Sequence, residues 1–218
     1  MEPVSNRIAI FLVGPTAVGK TDLSLCLSQK LPVEIVSADS RQIYQYLDIG
    51  TAKPSKDILR RLPHHFVSLL KPDEYYSAGQ FGVDSRKVID QIFSRGKLPL
   101  VVGGSGLYLK ALLEGFFIGN QINLKIRQSL QHRLLREGSK ALYQDLLRVD
   151  QKSADKIHPH NSSRILRALE IYLATGESLS DLQKTTIPAP DFIPLKSGIF
   201  EILGYDILSL VLLFINFV

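Results

Sequence analysis

The chain has 218 residues, 45% of them hydrophobic and 22% charged, with a formal net charge of +5. That length holds one sizeable α/β domain plus a smaller appendage, and the balance is that of a soluble globular protein. The single cysteine, Cys26, excludes an internal disulfide framework and fits a reducing compartment. In chain order, Met1 to Arg7 is polar and runs straight into a strand pattern, so it does not read as a signal peptide. Arg7–Val13 is a short apolar run ending in glycine, the mark of a buried strand. A helix is predicted from about Gly19 to Leu31, closed by Pro32. Cys26, set among Leu23, Leu25 and Leu27 on that helix, reads as a buried structural thiol. Val33–Ser37 is a second strand. Residues 41–78 are turn-rich, with loops and short elements. Gly79–Arg95 is helical in pattern, with Phe81, Val88, Ile89, Ile92 and Phe93 as its apolar face. Leu98–Val102 is a third strand, followed by Gly103-Gly104-Ser105 and a helix at Leu107–Leu113. Strands alternating with helices predict an α/β fold, a parallel sheet covered on both faces.

From Asn123 to Lys184 the strand signals vanish. Helical patterns occupy about 123–136, 139–148, 151–157, 162–174 and 178–184. Residues 116–186 carry 11 Lys+Arg against 7 Asp+Glu, while residues 1–115 carry 14 against 11 and residues 187–218 carry 1 against 3. The helical segment is therefore the most basic for its size, which suits a nucleic-acid partner but equally suits a solvated helical surface. Ile187–Pro194 is Pro-rich and reads as an extended connector. Ile207–Val218 is nearly all aliphatic or aromatic. It reads as an element packed on the core, as the end of a truncated or out-of-frame chain, or as a membrane-associated tail.

The strongest motif is Gly14-Pro15-Thr16-Ala17-Val18-Gly19-Lys20-Thr21, which satisfies G-x-x-x-x-G-K-[ST] between a strand and a helix. Successive backbone N–H groups at a helix N-terminus wrap a phosphate, Lys20 supplies a point charge, and Thr21 offers a hydroxyl to Mg²⁺. The motif specifies a polyphosphate without specifying ATP. Asp39-Ser40-Arg41-Gln42 follows the second strand, at the sheet end where ligands bind. Asp39 there serves an acceptor as a base, lies in the shell around Mg²⁺, or only caps a turn. Gly103-Gly104-Ser105 stands where a P-loop ATPase often carries an Mg²⁺-holding Asp. The glycines would let a substrate approach the backbone, or simply make a turn, and Ser105 could hydrogen-bond an acceptor. Arg164 and Arg167 share a helical face and could clamp phosphates, with a solvated face as the plain alternative. His64, His65, His132, His158 and His160 show no metal-ligand spacing.

Taken in order, these segments resemble one family. Gly14–Thr21, Ser37-Ala38-Asp39-Ser40-Arg41-Gln42-Ile43-Tyr44, Asp48-Ile49-Gly50-Thr51-Ala52-Lys53-Pro54, Tyr76-Ser77-Ala78 and Val102-Gly103-Gly104-Ser105-Gly106-Leu107-Tyr108 resemble the bacterial-type tRNA dimethylallyltransferases. Ile157-His158-Pro159 and Arg164–Glu170 extend the match, which runs from about residue 8 to 194 and fades near Lys196. The resemblance implies a P-loop NTPase-like core at 1–115, an all-helical tRNA-binding insertion at 116–186, and a connector with an apolar tail at 187–218. It implies transfer of a dimethylallyl group from dimethylallyl diphosphate to N6 of adenine-37, beside the anticodon of tRNAs reading codons that begin with U, with Mg²⁺. It puts Asp39 as the base, Ser105 beside the reacting centre, and Arg127 at a position contacting tRNA or the diphosphate. It puts tRNA contacts at Asp39, Ser40, Arg41, Gln42, Ser105, Arg127, Ser163, Arg164, Ile165, Leu166 and Arg167. A cytoplasmic monomer with no membrane association, truncated or frame-disrupted at its C-terminal end, is the expected form. The competing readings are a P-loop small-molecule kinase, a transferase acting on free adenine nucleotides, and an inactive tRNA-binding remnant.

Overall fold

A computed structural model of the chain describes residues 7–115, 123–183 and 189–198, with side chains described up to residue 195 in the last segment. The apolar stretch Ile207–Val218 lies outside the described residues. The described residues fall into two compact units, 7–115 with 189–198, and 123–183.

The first unit is built on a parallel sheet. Its strands are β1 (Ile8–Val13), β2 (Val33–Ala38), β3 (His64–His65), β4 (Leu98–Gly103) and β5 (Ile193–Gly198), in the spatial order β3-β2-β4-β1-β5. Its helices are α1 (Lys20–Ser28), α2 (Lys56–Arg61), α3 (Ala78–Ser94) and α4 (Gly106–Glu114). The period of two along β1 decides which helix meets which face. Ala9 and Phe11 enter a core with Val36, Ala38 and Val101, closed by Phe81, Ile89 and Ile92 of α3 and Tyr108 and Leu112 of α4. Ile10 and Leu12 point the other way, into a core with Ile35, Leu100 and Leu27 of α1. Both faces of the sheet are thus covered by helices, as the near-continuous apolar strands predict.

Two expectations change. Ile193–Pro194, read as part of a connector, begins strand β5, which pairs with β1 from Ile8↔Ile193 to Val13↔Gly198. Pro194 is tolerated because β5 stands at the edge of the sheet among the described residues. Phe192, just before it, is buried and lies 6.3 Å from the Phe11 ring, anchoring the strand. The prolines masked a strand whose partner stands at the far end of the sequence. Cys26 is exposed, contrary to the buried-thiol reading. Helix α1 buries Ser24 and Leu27, and one residue back from Leu27 the helix has turned by 100°, which carries Cys26 off the sheet.

The second unit is helical. Helix α5 (Leu124–Val149) is broken at Gly138 (φ 79°, ψ 168°), so it is two segments meeting where the sequence placed the gap between 136 and 139. Leu130, Leu142 and Leu146 of α5 pack on Ile165, Ala168 and Leu169 of α7 (Ser162–Thr175). Between them, α6 (Gln151–Ala154) stops short of the expected 157, and α8 is Leu179–Leu182. The buried carboxylate of Asp150 ties these pieces together. It accepts from the backbone N–H of Ser153 at 3.0 Å and of Ser180 at 3.0 Å. Burial alone would push this carboxyl up, but the hydrogen bonds from Ser153 and Ser180 hold it below its usual value.

Candidate active site

The P-loop leaves the carboxyl end of β1 and enters α1 through Gly19, whose φ of 91° is left-handed. Ala17 also has a positive φ, 66°, and such alternation turns successive backbone N–H groups inward to form an anion-binding nest. Gly19 adds the helix N-terminus directly behind it. Lys20 folds back across the loop, its Nζ donating to the carbonyls of Gly14 at 2.8 Å and Pro15 at 2.5 Å. Burial lowers its pKa from the ordinary lysine value, against the opposing pull of the Asp39 charge.

Three strand ends converge here. The N–H of Gly14 donates to Gly103 O at 3.4 Å, and the N–H of Ser105 donates to Ala38 O at 3.1 Å. The two glycines at the end of β4 exist for this convergence. A Cβ on Gly103 would lie 2.2 Å from Ala38 O, and one on Gly104 would lie 2.8 Å from Gly14 O. Of the two uses the sequence left open, a close approach for a substrate or a turn, the backbone-to-backbone contacts favour the turn. The result is a cavity of about 230 Å³ lined by Thr16, Ala17, Gly19, Lys20 and Thr21 of the phosphate loop, Ser37 near the end of β2, Asp39 and Gln42 after it, and Gly103 at the end of β4.

Asp39 is half-buried, and its Oδ1 accepts from the N–H groups of Arg41 at 2.8 Å and Gln42 at 3.2 Å. It therefore caps its turn, yet Oδ2 accepts no hydrogen bond among the described residues. Ser105 stands at the N-cap of α4 but makes no side-chain cap bond, so its hydroxyl is not spent on the helix. Gln42 is a brace: Ser37 donates to its Oε1 at 3.2 Å, while its Nε2 donates to Thr51 O at 3.0 Å and Ala52 O at 3.1 Å. Ser40 and Arg41 are exposed beside it.

Behind Asp39 stands an aromatic wall. Tyr108 stacks on Phe81 at 4.2 Å and meets Tyr76 edge-on at 6.5 Å. Burial, with the nearby Tyr44, Asp39 and Tyr75, pushes the Tyr108 hydroxyl up to about 12. His64 also lines the cavity, and inspection for metal-ligand spacing alone passed over it. Its Nδ1 lies 2.7 Å from Leu62 O, and burial lowers its pKa, which favours the neutral ring with Nδ1–H donating and Nε2 left as an acceptor.

No group of three or more His, Cys, Asp or Glu among the described residues could hold a metal by itself. A hard cation such as Mg²⁺ is usually held by one or two protein oxygens together with substrate phosphates and water. Thr21 and the carboxylates of Asp22 and Asp39, all lining this cavity, fit that donor type.

The remaining candidates lie in the second unit. Arg127 is exposed near the start of α5. Ser163 and Arg164 are exposed on the first turn of α7, whereas Ile165 is 1% exposed and Leu166 half-buried, both in the α5–α7 core. The Ile165 side chain therefore packs instead of facing a ligand. Arg167 donates to the buried Glu170 at 3.1 Å, so the two arginines are not an equivalent pair.

The IPP transferase family model matches residues 42–210, and the isopentenyl transferase model matches residues 8–69. The first match runs past Lys196, where the sequence reading placed the end of the resemblance. The chain is 45% identical over 191 residues to the tRNA dimethylallyltransferase of Natranaerobius thermophilus, covering 86% of this chain and 57% of that protein. It is 48% identical over 173 residues to the tRNA dimethylallyltransferase of Thermotoga neapolitana, covering 79% of this chain and 56% of that one. It thus spans somewhat over half the length of the curated relatives it matches. Among solved structures, a eukaryotic dimethylallyltransferase acting on tRNA superposes with a TM-score of 0.71 at 29% identity, covering 88% of this chain and 48% of that one. The tRNA delta(2)-isopentenylpyrophosphate transferase of Staphylococcus epidermidis gives 0.52 at 36% identity, covering 88% and 63%. With a family model matched over most of its length, and with the P-loop, Asp39 and Ser105 each following the carboxyl end of a strand of one sheet, the chain belongs to the IPP transferase family.

Proposed function

We propose that this protein transfers a dimethylallyl group from dimethylallyl diphosphate to N6 of adenine-37 in tRNAs reading codons that begin with U. The observation that carries the reading is the pairing, in one cavity, of a phosphate loop with an aspartate whose second oxygen is uncommitted. A diphosphate leaving group needs charge stabilisation as the allylic C–O bond breaks. The nest of N–H groups at Ala17 and Gly19 and the Lys20 ammonium supply it, the latter exchanging its own loop carbonyls for phosphate oxygens. Thr21 would hold Mg²⁺ against the diphosphate, and the ion would neutralise part of its charge. As the adenine N6 attacks the allylic carbon, its proton passes to Asp39 Oδ2, and the turn bonds to Oδ1 keep that carboxylate aimed. The Ser105 hydroxyl, free of the helix, hydrogen-bonds the acceptor or the departing oxygen. Ser40, Arg41, Gln42, Arg127 and the Ser163–Arg167 stretch contact the anticodon stem-loop, the last through Ser163, Arg164 and Arg167, whose side chains are not in the core. The protein acts as a cytoplasmic monomer, and among the described residues no helix is long and apolar enough to cross a membrane.

The test is product identity. Purified protein with radiolabelled dimethylallyl diphosphate, Mg²⁺ and unmodified tRNA places label in tRNA, and Lys20→Ala removes it. ATP-dependent phosphorylation of a small molecule, with no label in tRNA, replaces this reading by a kinase. Tight tRNA binding with no transfer reduces it to a binding remnant.

A further inference from the structure

Residues 44–53 form a loop that is held from inside and bare outside. Lys53, its side chain 5% exposed, reaches through the loop to donate to Tyr44 O at 2.8 Å and Asp48 Oδ1 at 2.7 Å. The hydroxyl of Thr51, also buried, donates to Leu47 O at 2.7 Å. Gln42 holds the returning strand at Thr51 and Ala52, and Gln45 N donates to Leu70 O at 2.7 Å. The interior polar groups are paired and the shape is fixed. Yet the loop presents Tyr46 at 79%, Leu47 at 41% and Ile49 at 98% exposure. A loop that turns its lysine and threonine inward and its large apolar side chains outward reverses the usual economy and marks a contact surface.

Its surroundings name the occupant. Ala52 and Pro54 at its base line the same cavity as Asp39. Between residues 41 and 61 there are five Lys+Arg (Arg41, Lys53, Lys56, Arg60, Arg61) against two Asp (Asp48, Asp57). Both aspartates are already bonded, by Lys53 and Arg60, while Arg41, Lys56 and Arg61 are exposed and make no ion pair among the described residues. An apolar tip on a basic apron complements a polyanion whose bases stack. We propose that this loop is a preformed wedge that parts the stacked bases of the RNA acceptor, with Ile49 entering the gap left by the extruded adenine and Tyr46 covering a neighbouring base. The proposal rests on the reading above that the acceptor is an RNA base, which must leave its stack to be alkylated.

The experiment uses the full chain and an anticodon stem-loop RNA carrying 2-aminopurine next to the target adenine. With wild type, fluorescence rises on binding as the stack opens. Ile49→Ala binds the stem-loop within about threefold of wild type, loses most of the fluorescence rise and transfers about 30-fold more slowly, the equivalent of part of one unstacking energy. Replacing the neighbouring nucleotide by an abasic one, which leaves nothing to part, restores its transfer rate, a recovery that a merely misfolded loop would not show. Unchanged fluorescence and transfer in Ile49→Ala overturn the wedge while leaving the transferase reading standing. Wild type that neither binds the stem-loop nor transfers to it overturns both. If Ile49→Asp leaves every RNA step intact but dissolves a concentration-dependent dimer, the patch is a self-association surface and the proposal fails.

Discussion

Strand β2 has an acidic residue at each end, and the two are treated in opposite ways. Glu34, near its start, is 4% exposed and saturated. Arg95 donates to it through two nitrogens at 3.2 and 2.7 Å, His65 Nε2 lies at 2.8 Å, and Lys97 stands at 3.2 Å. Asp39, just past its end, has one oxygen held by backbone N–H groups and the other without a hydrogen bond among the described residues, with Lys20 across the cavity bonded to carbonyls of its own loop. A carboxylate with its partners supplied supports the sheet. One left short of partners at the carboxyl end of the same sheet is arranged for something that arrives.

Swapping each carboxylate for its amide breaks this comparison most directly. Asp39→Asn keeps an oxygen for the turn bonds, so it should fold with stability within about 0.5 kcal/mol of wild type. On the proposed function it loses the proton acceptor, and transfer should fall by about 1,000-fold with tRNA affinity little changed. Single-turnover transfer measured beside thermal unfolding checks both halves, and unchanged turnover removes the base assignment. Glu34→Gln should do the reverse. Burial pushes the Glu34 carboxyl up, but Arg95, His65 and Lys97 together outweigh it and bring it to about 2, against an ordinary 4.5. A depressed carboxyl stabilises the fold at pH above 4.5 and loses that contribution as pH falls from 4.5 towards 2. The linked stability is about 3 kcal/mol, so Glu34→Gln should cost about that at neutral pH and flatten the acid limb of a denaturant-midpoint profile. Its transfer at temperatures where it remains folded should be unaffected.

The two ends were not equally legible. The P-loop is legible because a phosphate loop must follow one strand and open one helix, and the positions of Asp39 and Ser105 just past two other strand ends are likewise legible in order along the sequence. The Glu34 cluster does not, since Glu34, His65, Arg95 and Lys97 come from separate segments that only the strand order β3-β2-β4 brings together. Strand β5 escaped for a similar reason: Pro194 suppresses the local signal, and the pairing that makes it a strand is with Ile8–Val13. Cys26 went wrong on composition, since flanking leucines do not say which of them face the sheet. The α5 break at Gly138 was readable because a glycine between two helical patterns carries its own explanation. Bracing by Gln42 and the outward display of Ile49 depend on side-chain direction in a loop, which period-based reading does not supply.

Smaller changes sharpen the contrast. Ser105→Ala removes a hydroxyl that makes no cap bond, so α4 should be unharmed while transfer falls about tenfold, a single lost hydrogen bond. Ser105→Thr, which keeps the hydroxyl, should restore it. A fall in unfolding temperature without a fall in transfer would move Ser105 to the structural side.

Arg95→Ala tests the other end more gently. Its side chain is 43% exposed, so solvent screens it, and His65 and Lys97 remain on Glu34. The expected loss is smaller than that of Glu34→Gln, with transfer unchanged. The informative readout is acid unfolding. Without Arg95 the Glu34 carboxyl in the folded protein moves back up towards 4.5, so the pH-linked stability is smaller and its acid limb is confined closer to pH 4.5. An acid limb identical to wild type would show that His65 and Lys97 suffice, leaving Arg95 as a surface contact and not a member of the buried cluster.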